Sequence, residues 1–297
     1  MAMSRRALLR ASLAGAAAVG GLSLVRPWEA GAATVSGQQS APTTPFAVGV
    51  RQYNWTRGSR RITTYVYYPA TGKPGGNPVT NAPVAPGVFP IYNFTHGWNS
   101  SPQNSLFLIK PLAAAGFIVP APYFQHNFAD VNNGNESRDV SEILTRTLAL
   151  NTASDPLAGH INTTVGVGVS GHSLGGMITD GLLTSWPDSR IVSANPQSCQ
   201  RMGAPSSTVH AKVLFVHGDK DTTVSYSSAR QAYGEMPAPK AFLTFLGGTH
   251  TSFWSDNRFP TTVVDWARWG MYGDTAALNR LPSDAMSAKT KWEFVPR

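Results

Sequence analysis

Apolar and polar positions alternate along the chain in short blocks that predict strands and helices in turn. Residues 62–68, Ile-Thr-Thr-Tyr-Val-Tyr-Tyr, are β-branched and aromatic and predict a strand that Pro69 stops. Residues 71–88 are dense in Gly, Pro and Asn and predict a long loop. The apolar run 89–94 predicts the next strand, 105–115 a helix despite Pro111, and 116–120 a short strand. Residues 126–136 carry Asn127, Asn132, Asn133 and Asn135 and predict a surface loop. Val140, Ile143, Leu144, Thr147 and Leu148 recur at helical spacing over 139–150. Val165, Val167 and Val169 alternate with Gly166 and Gly168 in a buried strand. A helix over 177–185, ended by Pro187, follows it. Strands over 191–194, 213–216 and 242–246, and helices over 225–233 and 261–271, complete the pattern. Strands alternating with helices imply a mostly parallel central sheet with helices on both faces, the α/β class.

The first residues break this pattern. Ser4-Arg5-Arg6-Ala7-Leu8-Leu9-Arg10 precedes an Ala/Gly-rich apolar run over 11–25 and then Ala30-Gly31-Ala32. That run is shorter than the about 20 residues that span a bilayer. A basic start, a short apolar stretch and a small-residue cleavage pattern resemble a bacterial twin-arginine export signal over 1–32. No cysteine near that pattern allows a lipid anchor. Residues 33–45, rich in Gly, Ser, Thr and Pro, are expected to be a disordered lead-in. Residues 46–297 are expected to form one domain, a monomer outside the cytoplasm with no stable membrane insertion once the signal is removed.

Composition narrows the chemistry. Apolar residues are 42% of the chain and charged ones 13%, so a sizeable core is available. The formal charge is +8; four arginines against Glu29 place +3 of it in residues 1–32 and leave +5. No dense Lys/Arg run remains, which argues against a nucleic-acid partner. The single cysteine, Cys199, cannot close an internal disulfide or build a cysteine-rich zinc site. Nothing in the sequence suggests a metal, nucleotide or flavin, and no cofactor is expected.

Gly171-His172-Ser173-Leu174-Gly175 matches G-x-S-x-G between an apolar strand and a helix, the setting that motif needs. It resembles the nucleophile elbow of α/β-hydrolases. Glycines at 171 and 175 let neighbouring chain come close, and the Leu174 N–H at the helix start can stabilise an oxyanion. Serine needs a base, and the base an orienting acid; in such enzymes the order along the chain is Ser, acid, His. Of seven histidines only His210, His217 and His250 follow Ser173. Val213 to Val216 leads into His217-Gly218-Asp219-Lys220-Asp221, an acidic turn beyond a strand, and His250 is the only histidine after it. Asp221 sits at G-x-x-D spacing, whereas Asp219 has the profile of a turn-stabilising residue. His96-Gly97-Trp98 follows an early strand and offers the Trp98 N–H as a second oxyanion donor. His96 and His172 are expected to organise the structure around these groups, and His217 to pair with nearby backbone.

Tyr67-Tyr68-Pro69-Ala70, Gly87-Val88-Phe89-Pro90, His96-Gly97, Asp139-Val140-Ser141, the elbow, His217-Gly218-Asp219-Lys220-Asp221 and Gly248-Thr249-His250 occur in one order. Together they resemble the dienelactone-hydrolase-like branch of the α/β-hydrolases, which includes platelet-activating-factor-acetylhydrolase-like esterases and bacterial cutinase-like polyester hydrolases. The resemblance covers roughly 46–280. It implies a Ser173–Asp221–His250 triad, Trp98 and Leu174 as oxyanion donors, and an ester as substrate, whether small, lipid or polymer. Two departures stand out. The one cysteine forbids the C-terminal disulfide of the polyester hydrolases, and Asn195-Pro196-Gln197-Ser198 replaces their aromatic wall. The expected activity is therefore ester hydrolysis through an acyl-enzyme. Cutinase-like polyester cleavage or acyl transfer to an alcohol are alternatives on the same triad, and a silent binding protein is the alternative of another class.

Overall fold

The computed structural model describes residues 39–152 and 154–296. The export signal expected over 1–32 and residues 33–38 of the lead-in lie outside the described residues. The rest of the lead-in is not free as expected. Ala41 packs against an apolar cluster, and the Pro42 carbonyl accepts a hydrogen bond from Arg268 Nη1 at 2.8 Å.

The chain enters through strands β1 (Ala47–Arg57) and β2 (Arg60–Ala70), paired antiparallel along their whole length. Gly58, at φ 58°, makes the turn between them. A two-residue strand β3 (Val79–Thr80) and strand β4 (Ile91–Thr95) follow. A 3₁₀ turn then leads into helix α1 (Leu106–Ala114), and β5 (Val119–Tyr123) comes next. Helices α2 (Phe128–Asn132) and α3 (Asn135–Ala149) precede β6 (Val167–His172) and α4 (Leu174–Gly181). Beyond them run β7 (Ile191–Gln197), β8 (Lys212–Gly218), α5 (Tyr226–Glu235) and β9 (Lys240–Phe245). Helices α6 (Arg258–Tyr272) and α7 (Thr275–Ala285) and strand β10 (Thr290–Val295) close the described chain.

These strands form two sheets, ordered β3-β1-β2-β5 and β10-β9-β8-β7-β6-β4. The larger is parallel from β4 to β9, with β10 as an antiparallel edge. The smaller is antiparallel at β1/β2 and β2/β5, which the expectation of one mostly parallel sheet did not anticipate. The two meet where Ile91 bridges Ile118, with Tyr92 N donating to Ile118 O and Ile118 N to Pro90 O, both at 2.9 Å.

The central strands read as continuous apolar runs because both faces are covered. On β8, Val213 and Phe215 join a core with Val140 of α3, Ile178 of α4 and Ala229 of α5. Leu214 and Val216 point the other way, into a core with Leu108 of α1 and Val263 and Trp266 of α6. Period-two alternation thus feeds two cores from one strand.

The polar stretch 126–136 is not simply a surface loop. It contains α2, capped by the Asn127 side chain accepting from Ala129 N, and it buries His126 and Glu136. Parallel strands carry their C-terminal ends to one edge of a sheet. His96-Gly97-Trp98, Ser173, Ser198, the Asp219–Asp221 turn and the His250 loop follow β4, β6, β7, β8 and β9 there.

Candidate active site

Ser173 sits between β6 and α4 with φ 58° and ψ −119°, a backbone conformation costly for a non-glycine residue. Such strain persists only when surrounding structure imposes it. A Cβ at Gly171 would fall within 3 Å of Gly175 and Thr95 backbone, and one at Gly175 within 3 Å of the Thr95 and His96 carbonyls. A side chain at either place would therefore force neighbouring backbone to shift, and Ser173 N–H is tied to Gln197 O at 3.0 Å. Gly175→Ala is expected to destabilise the fold by about 1–3 kcal/mol, the usual cost of overpacking. Urea unfolding of the two proteins checks this; equal midpoints would show the turn to be looser than described.

The Ser173 hydroxyl makes no hydrogen bond among the described residues. Catalytic bonds are often long before substrate binds.

Asp221 and His250 come together. Asp221 Oδ2 lies 2.7 Å from His250 Nδ1, and Oδ1 accepts from Thr223 N at 2.8 Å and Val224 N at 3.0 Å. Burial pushes the Asp221 carboxyl up, but the bonds from His250, Val224 and Thr223 outweigh it and hold it below the usual carboxylate range. A carboxylate on Nδ1 leaves Nε2 as the basic nitrogen. His250 Nε2 has no hydrogen-bond partner among the described residues. Asp219 instead accepts from Gly247 N at 2.6 Å, which fastens the loop carrying His250.

His172 and His217 are buried supports. His172 Nε2 and Ser198 Oγ both donate to the His250 carbonyl, at 2.9 and 3.2 Å. His172 stacks obliquely on the His250 ring, 4.6 Å between centroids. Burial, helped by His250 nearby, lowers its pKa to about 3, so it stays neutral. His217 Nε2 lies 3.1 Å from both Val224 O and Asp221 Oδ2. Burial lowers its pKa as well. The contact with Asp221 adds to the backbone pairing expected for this residue.

Two backbone amides stand uncommitted: neither Trp98 N–H nor Leu174 N–H makes a hydrogen bond among the described residues. Leu174 opens α4, where unpaired amides and the helix dipole favour negative charge. Trp98 is set by its own peptide. Gly97 O accepts from His96 Nδ1 at 2.7 Å and from Ser100 N at 3.3 Å. Because a peptide is planar, fixing that carbonyl fixes the opposed Trp98 N–H. His96 Nε2 accepts from Phe124 N at 3.0 Å, and burial lowers its pKa to about 4, which keeps the ring neutral in this tautomer. The Trp98 ring is half-exposed and stacks on Phe128, 5.0 Å between centroids.

No protein-family model matches the chain, and no curated protein does. The reading of the site rests on its geometry. Cys199 is fully buried, and burial pushes its thiol well up, against a nucleophilic role. Among the described residues no cluster of His, Cys, Asp and Glu could hold a metal, and no helix is long and apolar enough to cross a membrane. Sequence reasoning missed two functional-looking features: the Ser198 bond to the His250 carbonyl, and the His126–Glu136 pair behind His96. Neither has a local signal, since both depend on partners many residues away.

Proposed function

We propose that this protein is a serine hydrolase of the α/β-hydrolase fold that cleaves carboxylic esters with Ser173, His250 and Asp221. The observation that carries this reading is the strained Ser173 at a strand-to-helix turn. The Asp221–His250 pair beyond later strands supports it, in the order that fold uses. Trp98 and Leu174 supply the oxyanion hole through their free amides. The twin-arginine-like start supports an exported protein, and one cysteine is compatible with a domain that needs no disulfide.

His250 Nε2 takes the proton of Ser173 Oγ as that oxygen attacks the ester carbonyl. The carbonyl electrons move onto oxygen, facing the Trp98 and Leu174 amides. Collapse expels the alcohol, which receives the proton from His250, and leaves the acyl group on Ser173. Water, deprotonated by the same nitrogen, attacks the acyl-enzyme and releases the acid. Asp221 holds the imidazole in its Nδ1–H form and stabilises the charge it gains.

Turnover of p-nitrophenyl esters of graded chain length, a polyester film, and an added alcohol acceptor tests the reading. Hydrolysis in water is expected. A product formed chiefly on the acceptor would make the enzyme an acyltransferase, and no turnover with no active-serine labelling would make it a binding protein.

The base works only as neutral imidazole, so kcat/KM is expected to fall as the solution is acidified. His172 and His96 stay neutral down to about 3 and about 4, so neither of them accounts for that fall. His172→Gln and His217→Gln should keep the wild-type profile even where stability drops. His250→Gln should lose the acid limb along with most of the rate. An intact limb in His250→Gln would assign the base elsewhere.

A further inference from the structure

A second histidine–carboxylate pair lies behind the oxyanion loop and takes no part in the reaction above. His126 and Glu136 are both buried, with Nδ1 and Oε2 2.5 Å apart. Glu136 Oε1 also accepts from Asn127 N at 3.0 Å. The remaining ring nitrogen, His126 Nε2, lies 2.9 Å from the carbonyl oxygen of His96. A carbonyl only accepts, so Nε2 carries hydrogen and donates, whichever partner holds the proton between Nδ1 and Oε2.

The pair has a firm base. Glu136 stands in the first turn of α3, and α3 is anchored one turn later by Asp139. That buried carboxylate takes Arg57 Nε at 2.7 Å and Arg60 Nε at 2.8 Å. Arg57 and Arg60 flank the turn of the β1–β2 hairpin, so the anchor reaches across two layers.

A buried polar pair of this kind adds little net stability, since well-packed apolar residues of the same volume do as well or better. What it supplies is direction. The His96 carbonyl belongs to the peptide just before the one whose plane sets Trp98 N–H. Its oxygen also faces Gly175 at the elbow, where a Cβ would come within 3 Å. Without a donor on this oxygen the 96–97 peptide could rotate, and the His96 ring that holds Gly97 O would move with it.

We propose that His126, oriented by Glu136, is a positioning residue for the oxyanion hole, holding the His96 carbonyl so that Trp98 N–H points at the developing charge. This rests on the serine-hydrolase reading above.

Two substitutions separate positioning from packing. In His126→Asn the amide nitrogen replaces Nδ1, keeps the bond to Glu136 and is too short to reach His96. In His126→Gln the amide replaces Nε2 and can still donate to the His96 carbonyl. A misplaced catalytic group costs on the order of 10²-fold for 1 Å. His126→Asn is therefore expected to lower kcat by about 10–100-fold with KM within about twofold, and His126→Gln to restore kcat to within about threefold of wild type. Binding of a trifluoromethyl ketone, which places an oxyanion on the enzyme, should weaken in parallel with kcat in His126→Asn. Equal kcat and equal ketone affinity in the two variants would overturn the proposal, as would failure of both to fold, since the pair would then hold the fold and not the loop. Fluorophosphonate labelling of Ser173 in the wild type keeps the two readings apart. Its absence would remove the serine-hydrolase reading; its presence with unchanged kcat in His126→Asn would remove only the positioning role.

Discussion

Ser173→Ala is expected to lower kcat on an ester substrate by on the order of 10⁴–10⁶-fold while leaving KM and the fold nearly unchanged. The loss is large because, in the proposed mechanism, the hydroxyl oxygen is the one atom that forms the covalent bond. On that mechanism, what would remain is binding and the proposed oxyanion amides of Trp98 and Leu174, which would still favour attack by water. The fold should tolerate the change, since the hydroxyl makes no hydrogen bond among the described residues and alanine keeps the Cβ. Steady-state kinetics with a sensitive fluorogenic ester, alongside a thermal melt, measures both. A variant with a rate within tenfold of wild type would mean that another group carries the chemistry.

Asp221→Asn is expected to cost roughly 10³–10⁴-fold in kcat. The geometry explains the size. Asp221 Oδ2 faces His250 Nδ1 at 2.7 Å, so the carboxylate selects the tautomer that leaves Nε2 basic. An amide nitrogen placed there would donate to Nδ1 and push the proton to Nε2, leaving the ring without a basic nitrogen for the serine proton. Asp219→Asn should cost far less, about tenfold, because Asp219 only fastens Gly247 N in the same loop. A reversed ranking of the two variants would move the acid to Asp219 and undo the spacing argument that separates them.

The candidate site was largely written in local signals. An apolar strand running into G-x-S-x-G, an acidic turn beyond a buried strand and a histidine beyond the next one are each short-range patterns. Parallel topology then carries them to one edge. Elements that escaped were those without a continuous apolar run. Strand β1 carries Arg51, Gln52 and Asn54 because most of it is covered on one side only, though Val48, Val50, Tyr53 and Trp55 and the Gly58 turn marked it faintly. Helix α7 contains Pro282, a residue that argues against helix interiors, while its Asp274 cap, accepting from Ala277 N, was the signal in its favour. Strand β10 alternates Thr290, Trp292 and Phe294 with Lys291 and Glu293, as an edge strand can.

The supports of the site were less legible than the site itself. His126 and Glu136 lie in an asparagine-rich stretch that reads as solvent-facing, and only tertiary packing buries them. The roles of His96 and His172 depend on which carbonyl each ring nitrogen meets, Gly97 for one and His250 for the other. Such pairings are set by three-dimensional approach and have no spacing rule. Cys199 is different: a lone cysteine reads as a small buried residue from its type alone, and it is buried, which raises its thiol pKa.

The most direct test of the central claim is covalent labelling. The wild-type protein is treated with a fluorophosphonate, digested, and the modified peptide sequenced by mass spectrometry. A single adduct on Ser173, absent from Ser173→Ala and slowed in His250→Gln, is the predicted result. An adduct on any other residue, Cys199 included, or no adduct under conditions where the protein is folded, would contradict it.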